Sequence, residues 1–296
     1  MAVVLGSAAG GGFPQWNCGC PQCRLARQGD PRVRSATQAS VAVTGDGDGW
    51  VIVGASPDMR QQLSERSRLW PRTAGRDSPI TGVVLTGGDI DAIAGLLVLR
   101  ERQPFTVYAP APLLDVLTEN DVFDVLDPAV VQRVEVRALE PIPCGAGLTL
   151  TILPMPGKVP LYRETPGATE AQAGLTYAAM LQAGDRSVIV APACADITDA
   201  VLTQFQDANV LFFDGTLFTD DEMIEAGLGT KTGTRMGHVP ISGPKGTLAR
   251  LADLPARRIF LHINNTNPIL LSDSPQRRQV EDAGFEVSYD GMEVRL

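Results

Sequence analysis

Three cysteines lie within six residues near the start of the chain, in the segment NCGCPQC at residues 17–23. Cys18, Cys20 and Cys23 have the spacing C-x-C-x-x-C, which lets one tight loop supply three thiolate ligands to a tetrahedral zinc ion. The chain has five cysteines, an odd number, which disfavours a disulfide framework and favours a metal site. The segment predicts a structural zinc with a remote fourth ligand; redox-active thiols or three incidental cysteines are the alternatives.

The chain contains two histidines, and each is close to a polar segment that follows an apolar run. His262 ends the run RRIFLH, and His238 lies shortly after the run VLFF, which Asp214 ends. Asp89 and Asp91 follow a third apolar run, VVL, in the segment VVLTGGDIDAIAGLL. Ligands bind at the carboxyl ends of strands in open α/β sheets, where loops converge on a rigid core. Two histidines and a carboxylate suit a non-haem Fe(II) site, and the alternative is a pair of structural histidines.

The elements that must position these residues are short strands and amphipathic helices. Segments rich in Val, Ile or Thr predict strands at residues 3–6, 39–44, 50–53, 81–86, 105–108, 132–138, 148–153, 176–181, 187–191, 210–214, 258–263 and 285–289. Helical patterns lie at residues 58–67, 90–102, 112–120, 197–207, 220–226, 244–251 and 275–283. This order predicts an α/β fold, an αββα arrangement of two mixed sheets packed face to face with helices outside. We expect a single domain over residues 1–296, built of two related halves with a boundary near residue 140.

The composition limits the classes of partner. The formal charge is −9 and the chain has no basic block, which argues against nucleic acid or an anionic membrane surface. No apolar run approaches the roughly 18 residues that a membrane-spanning helix needs. The first residues lack the basic and long apolar regions of a signal peptide, so we expect a cytoplasmic protein without membrane insertion.

Seven segments carry a resemblance to a known family: GSAAGGGFPQWNCGCPQC, ASPDMRQQL, LTGGDIDAIAGLLVLRE, LFFDGTLFTDDEM, MGHVPISG, IFLHINNTNPIL and DGMEV. Through them the chain resembles the PqqB family, the coenzyme PQQ biosynthesis proteins B of the metallo-β-lactamase superfamily, nearly end to end. The resemblance implies an αββα sandwich with a site where strand-end loops of the two sheets meet.

The resemblance also implies roles for residues near both candidate sites. In related cyclic phosphodiesterases and tRNA-processing nucleases, the cysteine loop holds zinc together with a histidine from a T-H-x-x-H segment. The matching segment here is LHINN at residues 261–265, which puts His262 in the active site and Asn265 in the place of the zinc ligand. Because an amide oxygen binds zinc weakly, His262 is the alternative fourth ligand. The segment DGTLF…GH resembles E-A-T-F…G-H, which implies that Asp214 and His238 are near the reacting centre.

The chain departs from the superfamily pattern T-H-x-H-x-D-H at the corner after the fourth predicted strand. Gly87, Asp89 and Ala92 stand where the three histidines would be, while Asp91 keeps its carboxylate. The segment VIVAPACADI has no carboxylate where a metal-bridging Asp would be, at residue 192 or 193. These losses argue against a two-zinc hydrolase, because water activation needs metals held by several good ligands.

The resemblance implies an iron- and O₂-dependent hydroxylase that acts on the tyrosine ring of a Glu-Tyr dipeptide. Its Fe²⁺ ligands and proton-transfer groups would come from Asp89, Asp91, Asp214, His238 and His262. We expect a facial set of His238, His262 and either Asp89 or Asp91. The alternatives are a non-catalytic soluble carrier of PQQ or its precursor and a single-metal hydrolase.

The expected partners follow from the same resemblance. The substrate is a small molecule or a dipeptide derived from Glu-Tyr, and other PQQ-pathway proteins are candidate partners. A homodimer is kept as an alternative to a monomer. Arg24, Arg60 and Lys158 are the cationic candidates for binding the substrate carboxylates.

Overall fold

The computed structural model describes residues 1–163 and 175–295 of the chain. Within these residues the strands are β1 (Ala2–Gly6), β2 (Ser40–Val43), β3 (Trp50–Val53), β4 (Ile80–Val84), β5 (Phe105–Ala109), β6 (Val131–Glu135), β7 (Ile142–Pro143), β8 (Thr149–Pro154), β9 (Tyr177–Ala183), β10 (Arg186–Ala191), β11 (Val210–Asp214), β12 (Arg257–Leu261), β13 (Phe285–Val287) and β14 (Glu293–Val294). Over the described residues they form two seven-stranded sheets, ordered β14-β1-β2-β3-β4-β5-β6 and β13-β12-β11-β10-β9-β8-β7. Strands β3 to β6 are parallel in the first sheet, and β10 to β13 are parallel in the second.

The α-helices of the same described ranges are α1 (Pro21–Arg27), α2 (Met59–Ser64), α3 (Ile90–Ile93), α4 (Ala111–Thr118), α5 (Asp199–Phe205), α6 (Glu222–Glu225), α7 (Gly233–Met236), α8 (Thr247–Arg250) and α9 (Pro275–Asp282). Single turns of 3₁₀-helix lie at Ser67–Leu69, Leu161–Arg163 and Pro268–Leu270, and longer ones at Ala94–Leu99 and Asp121–Val125. None of the helices in these ranges is long and apolar enough to cross a membrane.

The core shows why the chain folds as two facing sheets. In β11, Phe212 belongs to a buried cluster that includes side chains of the first sheet, such as Val51. The next residue, Phe213, belongs to a second cluster with Phe205 of α5, and their rings pack edge to face at 5.8 Å. Alternate side chains of a strand point to opposite faces, so a strand buried on both faces is apolar throughout. The predicted αββα sandwich is therefore confirmed.

The predicted helix at residues 90–102 is wrong in its extent. Only α3 is α-helical there, and the chain continues as the 3₁₀-helix Ala94–Leu99. The cause is the close approach of the chain to the end of β3: the backbone N–H of Gly95 donates to Ala55 O at 2.8 Å, and Ala55 N–H donates to Ala92 O at 2.8 Å. A Cβ on Gly95 would lie 2.1 Å from the backbone oxygen of Ser56. These tertiary hydrogen bonds compete with the regular i to i−4 pattern that an α-helix needs.

Other element bounds also differ from the sequence prediction. The expected helices at 197–207, 220–226 and 244–251 shorten to α5, α6 and α8, because flanking residues adopt turns that cap or join them. The helices α1 and α7 and the two-residue strands β7 and β14 carry too few residues to show a periodic pattern. Strand β14 pairs with β1, so the chain's last described segment returns to the first sheet after the second sheet is complete.

Candidate metal centres and active-site cavity

The three clustered cysteines converge in the folded chain. Each of Cys18, Cys20 and Cys23 offers a sulfur, and these sulfurs lie within 4.8 Å of one another. Cys20 is the N-cap of α1 and Pro21 follows it, so the helix begins inside the motif and returns Cys23 toward the first two sulfurs. Burial raises the pKa of Cys20, but hydrogen bonds from the Cys23 backbone and from Cys18, Cys23 and Asn265 outweigh it and leave the pKa below its ordinary value.

Asn265 is the remote residue that completes this centre. Its Nδ2 lies 3.1 Å from Cys18 Sγ, 3.6 Å from Cys20 Sγ and 3.5 Å from Cys23 Sγ. The side-chain amide thus occupies the fourth direction around the three sulfurs, and its oxygen and nitrogen exchange by a half-turn of the amide. Three buried thiol sulfurs fit three of the four ligands of a structural zinc, and the Asn265 amide oxygen would be a weak fourth ligand. The alternative fourth ligand, His262, is wrong, because its ring contacts other residues in a separate cavity.

A cavity of about 600 Å³ opens between the loops at the ends of the two sheets. The turn after β4 contributes Asp89 and Asp91 from the first sheet. From the second half of the chain come His262, directly after β12, and His238, two residues after the end of α7. Because β11 and β12 are parallel neighbours, Asp214 at the end of β11 lies beside Leu261 and close to His262. The tertiary structure therefore gathers all five candidate residues at one edge of the sandwich.

Asp214 is buried, and hydrogen bonds use both of its carboxylate oxygens. Oδ1 accepts from the backbone N–H and the hydroxyl of Thr216 at 3.1 and 2.7 Å. Oδ2 accepts from the backbone N–H of Cys194 at 2.9 Å and faces His238 Nδ1 at 2.8 Å. Although ligand atoms of Asp214, His238 and His262 lie within 4.8 Å of one another, the four hydrogen bonds of Asp214 occupy its lone pairs. We therefore place Asp214 behind His238 as an orienting carboxylate, not among the metal ligands.

The two imidazole rings are stacked, with centroids 5.2 Å apart and planes inclined by 19°. The Nδ1 atoms of His238 and His262 lie 3.1 and 2.9 Å from Thr216 Oγ1. Because the Thr216 hydroxyl donates its hydrogen to Asp214, it accepts from His262 Nδ1, and the nearer acceptor for the His238 Nδ1 hydrogen is Asp214 Oδ2 at 2.8 Å. Both contacts assign a proton to Nδ1. The Nε2 atoms lie on the other side of each ring. In His262 this nitrogen donates to Asp91, and a bound metal would replace that proton.

Asp91 faces the outward nitrogen of His262. Its Oδ2 lies 3.0 Å from His262 Nε2. Two ligands at right angles, each about 2.1 Å from one metal, lie about 3 Å apart, so this pair has the spacing of adjacent ligands. His262 and Asp91 have this spacing, and His238, stacked on His262 and lining the same cavity, adds a second imidazole to the composition of the site. Of the two carboxylates expected at this position, the structure brings Asp91 to His262.

His262 and Asp91 shift each other's pKa. Burial lowers the pKa of His262, but the hydrogen bond that His262 donates to Asp91 and the negative charges of Asp91, Asp214 and Asp89 outweigh burial and raise the pKa above its ordinary value. Burial raises the pKa of Asp91, while the hydrogen bond and charge of His262 lower it further than burial raises it. His262 also has a φ of +58°, a left-handed conformation that non-glycine residues rarely adopt and that often marks functional sites.

The remaining predicted residues have different environments. Asp89 is half-exposed and forms an ion pair with Lys158, whose Nζ lies 3.7 Å from Asp89 Oδ1. Lys158 lines the cavity, as predicted for a substrate-binding cation. Arg24 and Arg60 do not line this cavity, so the prediction that they bind the substrate carboxylates was wrong. Arg24 lies exposed on α1, and Arg60 lines a separate cavity beside Trp70. Nothing in the local sequence distinguishes these three cations, because the distance to the site depends on the fold.

Several residues of the site were missed in the sequence. Thr216 contacts both histidines, and Asn264 and Lys231 line the cavity. The position of Thr216, two residues after a strand-ending carboxylate in the segment DGT, is a signal that could have identified it. The backbone N–H of Cys194 could not have been found, because its contact with Asp214 joins strands β10 and β11 through the fold.

Comparison with known proteins agrees with this geometry. Residues 49–263 match the model of the beta-lactamase superfamily domain. The chain is 50% identical over 301 residues to coenzyme PQQ synthesis protein B of Gluconacetobacter diazotrophicus, covering 99% of this chain and 98% of that protein. It is 51% identical over 299 residues to the protein of the same name from Methylobacterium nodulans, covering 100% of both.

A solved structure extends the likeness to three dimensions. The 1.98-Å crystal structure of Zn²⁺-bound PqqB from Methylobacterium extorquens superposes with a TM-score of 0.96 at 47% identity, covering 100% of this chain and 99% of that one. The shared fold, the full-length identity and the residues gathered at the cavity agree. The chain belongs to the metallo-β-lactamase superfamily and, within it, to the family of coenzyme PQQ synthesis proteins B.

Proposed function

We propose that the chain is an enzyme of PQQ biosynthesis that hydroxylates the tyrosine ring of a Glu-Tyr dipeptide with Fe²⁺ and O₂. The observation that carries the proposal is the arrangement of His238, His262 and Asp91, which supplies two imidazole nitrogens and one carboxylate at one cavity. Such a set leaves coordination positions open and is typical of non-haem iron oxygenases. The names of the relatives support a role in PQQ synthesis.

The cavity has properties that suit a dipeptide substrate. Its volume of about 600 Å³ lies within the usual range for small-molecule sites. Lys158 and Lys231 line it and offer cations to the carboxylates of Glu-Tyr. Binding through Lys158 would take the ammonium from Asp89, which then becomes available as a base for the phenol.

The protein's own residues orient the site. Asp214 and Thr216 keep the histidine protons on Nδ1, so that Nε2 of each ring faces the cavity as a ligand. Fe²⁺ held by His238, His262 and Asp91 would supply the activation of O₂. The net reaction would insert one oxygen atom into a ring C–H bond and release the other as water, with two electrons from an external reductant and two protons from solvent. A zinc ion at Cys18, Cys20, Cys23 and Asn265 would have a structural role, and the zinc of the PqqB structure from Methylobacterium extorquens supports a zinc in this chain.

A carrier of PQQ or its precursor is the second candidate. The observation that favours it is the set of small or apolar residues lining the cavity where hydrolases of this fold carry metal ligands: Gly87, Ala92, Pro192 and Ala193. A carrier needs the same cavity volume and cations but no metal turnover. A single-metal hydrolase would need a water-activating ligand set that these four positions do not provide.

Anaerobic loading with Fe²⁺ separates the candidates. The loaded protein is mixed with Glu-Tyr dipeptide, ascorbate and O₂, and the products are measured by mass spectrometry. The proposal expects mass gains in steps of one oxygen that disappear in His262→Ala and persist in Arg60→Gln, a variant in a separate cavity. Stoichiometric PQQ binding without any mass gain would instead establish the carrier.

A further inference from the structure

The two candidate metal centres are connected by one short segment, residues 262–267. His262 lies in the cavity, and Asn265, three residues later, contacts the three cysteine sulfurs. Asn264 lines the cavity, and its backbone N–H donates to Thr216 O at 3.1 Å. Asn267 Nδ2 donates to Gly215 O at 2.9 Å. The segment begins at His262, whose backbone is in the left-handed conformation. Because a non-glycine residue keeps this conformation only when its surroundings hold it, the path of the segment depends on contacts with neighbouring elements.

Glu222 of α6 provides one of these contacts and belongs to neither centre. It is 8% exposed, and its Oε1 accepts from the Thr266 hydroxyl at 2.5 Å. Its Oε2 accepts from the Phe218 backbone N–H at 2.7 Å. The Thr266 hydroxyl in turn accepts from Asn264 Nδ2 at 2.6 Å, and Thr266 O accepts from Gln22 Nε2 at 2.8 Å.

These hydrogen bonds attach the segment on both sides. Gln22 lies on α1 between two of the cysteines, so Thr266 is held both by the cysteine loop and by Glu222. Glu222 contacts Thr266, and Thr266 contacts Asn264. These two residues flank Asn265, and Asn264 is also two residues after His262, so Glu222 helps to fix the backbone at both metal centres. Carboxylates and carbonyls that orient metal ligands typically change metal affinity 10- to 100-fold when they are removed.

We infer that Glu222 is a positioning residue for both metal centres: through Thr266 it holds the segment 262–267 so that Asn265 faces the cysteines and His262 faces the cavity. The inference rests on the proposed function in that it takes the cavity to bind a divalent metal. It goes beyond that function by making zinc retention at the cysteines and metal affinity in the cavity depend on one carboxyl group.

The test compares Glu222→Ala, Glu222→Gln and the matched control Glu225→Gln, an exposed residue of the same helix. The full-length, zinc-loaded proteins are titrated with Co²⁺, whose visible absorption reports cavity binding. Zinc per chain is measured after dialysis against a chelator. Co²⁺ that replaces lost zinc shows thiolate charge-transfer bands in the near ultraviolet, which identifies the centre it occupies.

We expect Glu222→Ala to weaken Co²⁺ binding in the cavity by about tenfold or more and to increase zinc loss. Glu222→Gln, which keeps an acceptor oxygen, should recover most of the Co²⁺ affinity and most of the zinc retention. Glu225→Gln should match the wild type in both measurements. If Glu222→Ala does not fold, Thr266→Val removes the same hydrogen bond with little change in volume.

A folded Glu222→Ala with a lowered Tm but wild-type affinities at both centres would overturn the inference, since Glu222 would then stabilise the fold alone. Absence of Co²⁺ binding to the wild-type cavity would overturn it as well. The titration uses neither O₂ nor dipeptide. A failure to hydroxylate therefore contradicts the proposed function without affecting this result.

Discussion

At the scale of single residues, the site depends on which hydrogen bonds each carboxylate makes. Asp214 and Asp91 both contact a histidine, but Asp214 is buried with its lone pairs occupied, whereas Asp91 lines the cavity. The same residue type therefore has two roles, an orienting acceptor and a ligand. The difference lies in the surroundings, not in the distance to the imidazole ring.

Asp214→Asn tests the orienting role. An amide cannot accept at both ends, so the change leaves one of Cys194 N–H, Thr216 or His238 Nδ1 without its acceptor. We expect Co²⁺ affinity in the cavity to fall by about 10- to 100-fold, measured by visible absorption. Asp185→Asn, at an exposed turn, is the control and should bind as the wild type does. Equal affinities for the two variants would contradict the assignment.

Glu222 makes the stability of the folded protein dependent on pH. Burial raises its pKa from 4.5 to about 7, against hydrogen bonds from Thr266 and the backbone that lower it. Between these values the folded state binds more protons than the unfolded state, so the free energy of unfolding falls as pH rises from about 4.5 to about 7. The loss from this residue is on the order of 2 to 3 kcal/mol.

Glu222→Gln removes this titration. When the pH rises from 5 to 7.5, we expect the wild type to lose about 2 to 3 kcal/mol of unfolding free energy relative to Glu222→Gln. The variant is therefore favoured at the higher pH. Urea unfolding at both values measures it. A difference that stays constant with pH would show that the carboxyl group titrates normally in the folded protein.

At the scale of elements, the turn after β4 is held in place by backbone contacts with the residues that follow β3. Gly95 packs against the backbone after β3, and this contact ends the α-helical geometry of α3. The carboxylates of Asp89 and Asp91 are thereby held at the cavity edge, one at the N-cap of α3 and one in its first turn.

Gly95→Ala and Gly87→Ala test the packing of this corner. A Cβ at residue 95 would lie 2.1 Å from Ser56 O and 2.8 Å from Ala55 O, both backbone atoms, whereas a Cβ at residue 87 has no atom within 4 Å. We expect Gly95→Ala to lower the free energy of unfolding by about 3 kcal/mol or more, and Gly87→Ala to change it by less than about 1 kcal/mol. Similar urea midpoints for the two variants would refute the close approach.

At the scale of the whole molecule, the cysteine centre joins distant parts of the chain. Asn265 follows β12 of the second sheet and lies 247 residues from Cys18 in sequence. The N-terminal segment before the cysteines joins residues next to both sheets, because Ala8 pairs with Gln38, just before β2, and with Ile263, just after β12. A zinc ion at this centre would therefore stabilise the relative position of the two sheets.

Cys20→Ser should lose about one zinc per chain and lower the Tm by several degrees, because a structural zinc contributes directly to folding. Cys144→Ser is the control: Cys144 is also buried, but its sulfur faces Leu148 O and not the other cysteines. Elemental analysis and scanning calorimetry measure both effects. A Cys20→Ser protein with full zinc content would place the zinc elsewhere.

The sequence by itself determined the order of the longer strands and helices, the cysteine loop and the polar residues at the strand ends, but not the short elements α1, α7, β7 and β14. These are local properties: the alternation of apolar residues defines a strand, and the spacing of Cys18, Cys20 and Cys23 defines a ligand loop. The αββα sandwich followed from that order and from the resemblance to the PqqB family, and the two seven-stranded sheets of the described residues confirm it.

Only the tertiary structure decided which of these groups meet. His262 and Asp91 are 171 residues apart and follow strands of different sheets, β12 and β4, so no local pattern relates them. The same holds for Asn265 at the cysteines, for Asp214 behind His238, and for the exclusion of Arg24 and Arg60 from the cavity. The physical reason is that the face-to-face packing of two sheets fixes distances across the cavity, and that packing depends on the whole buried core.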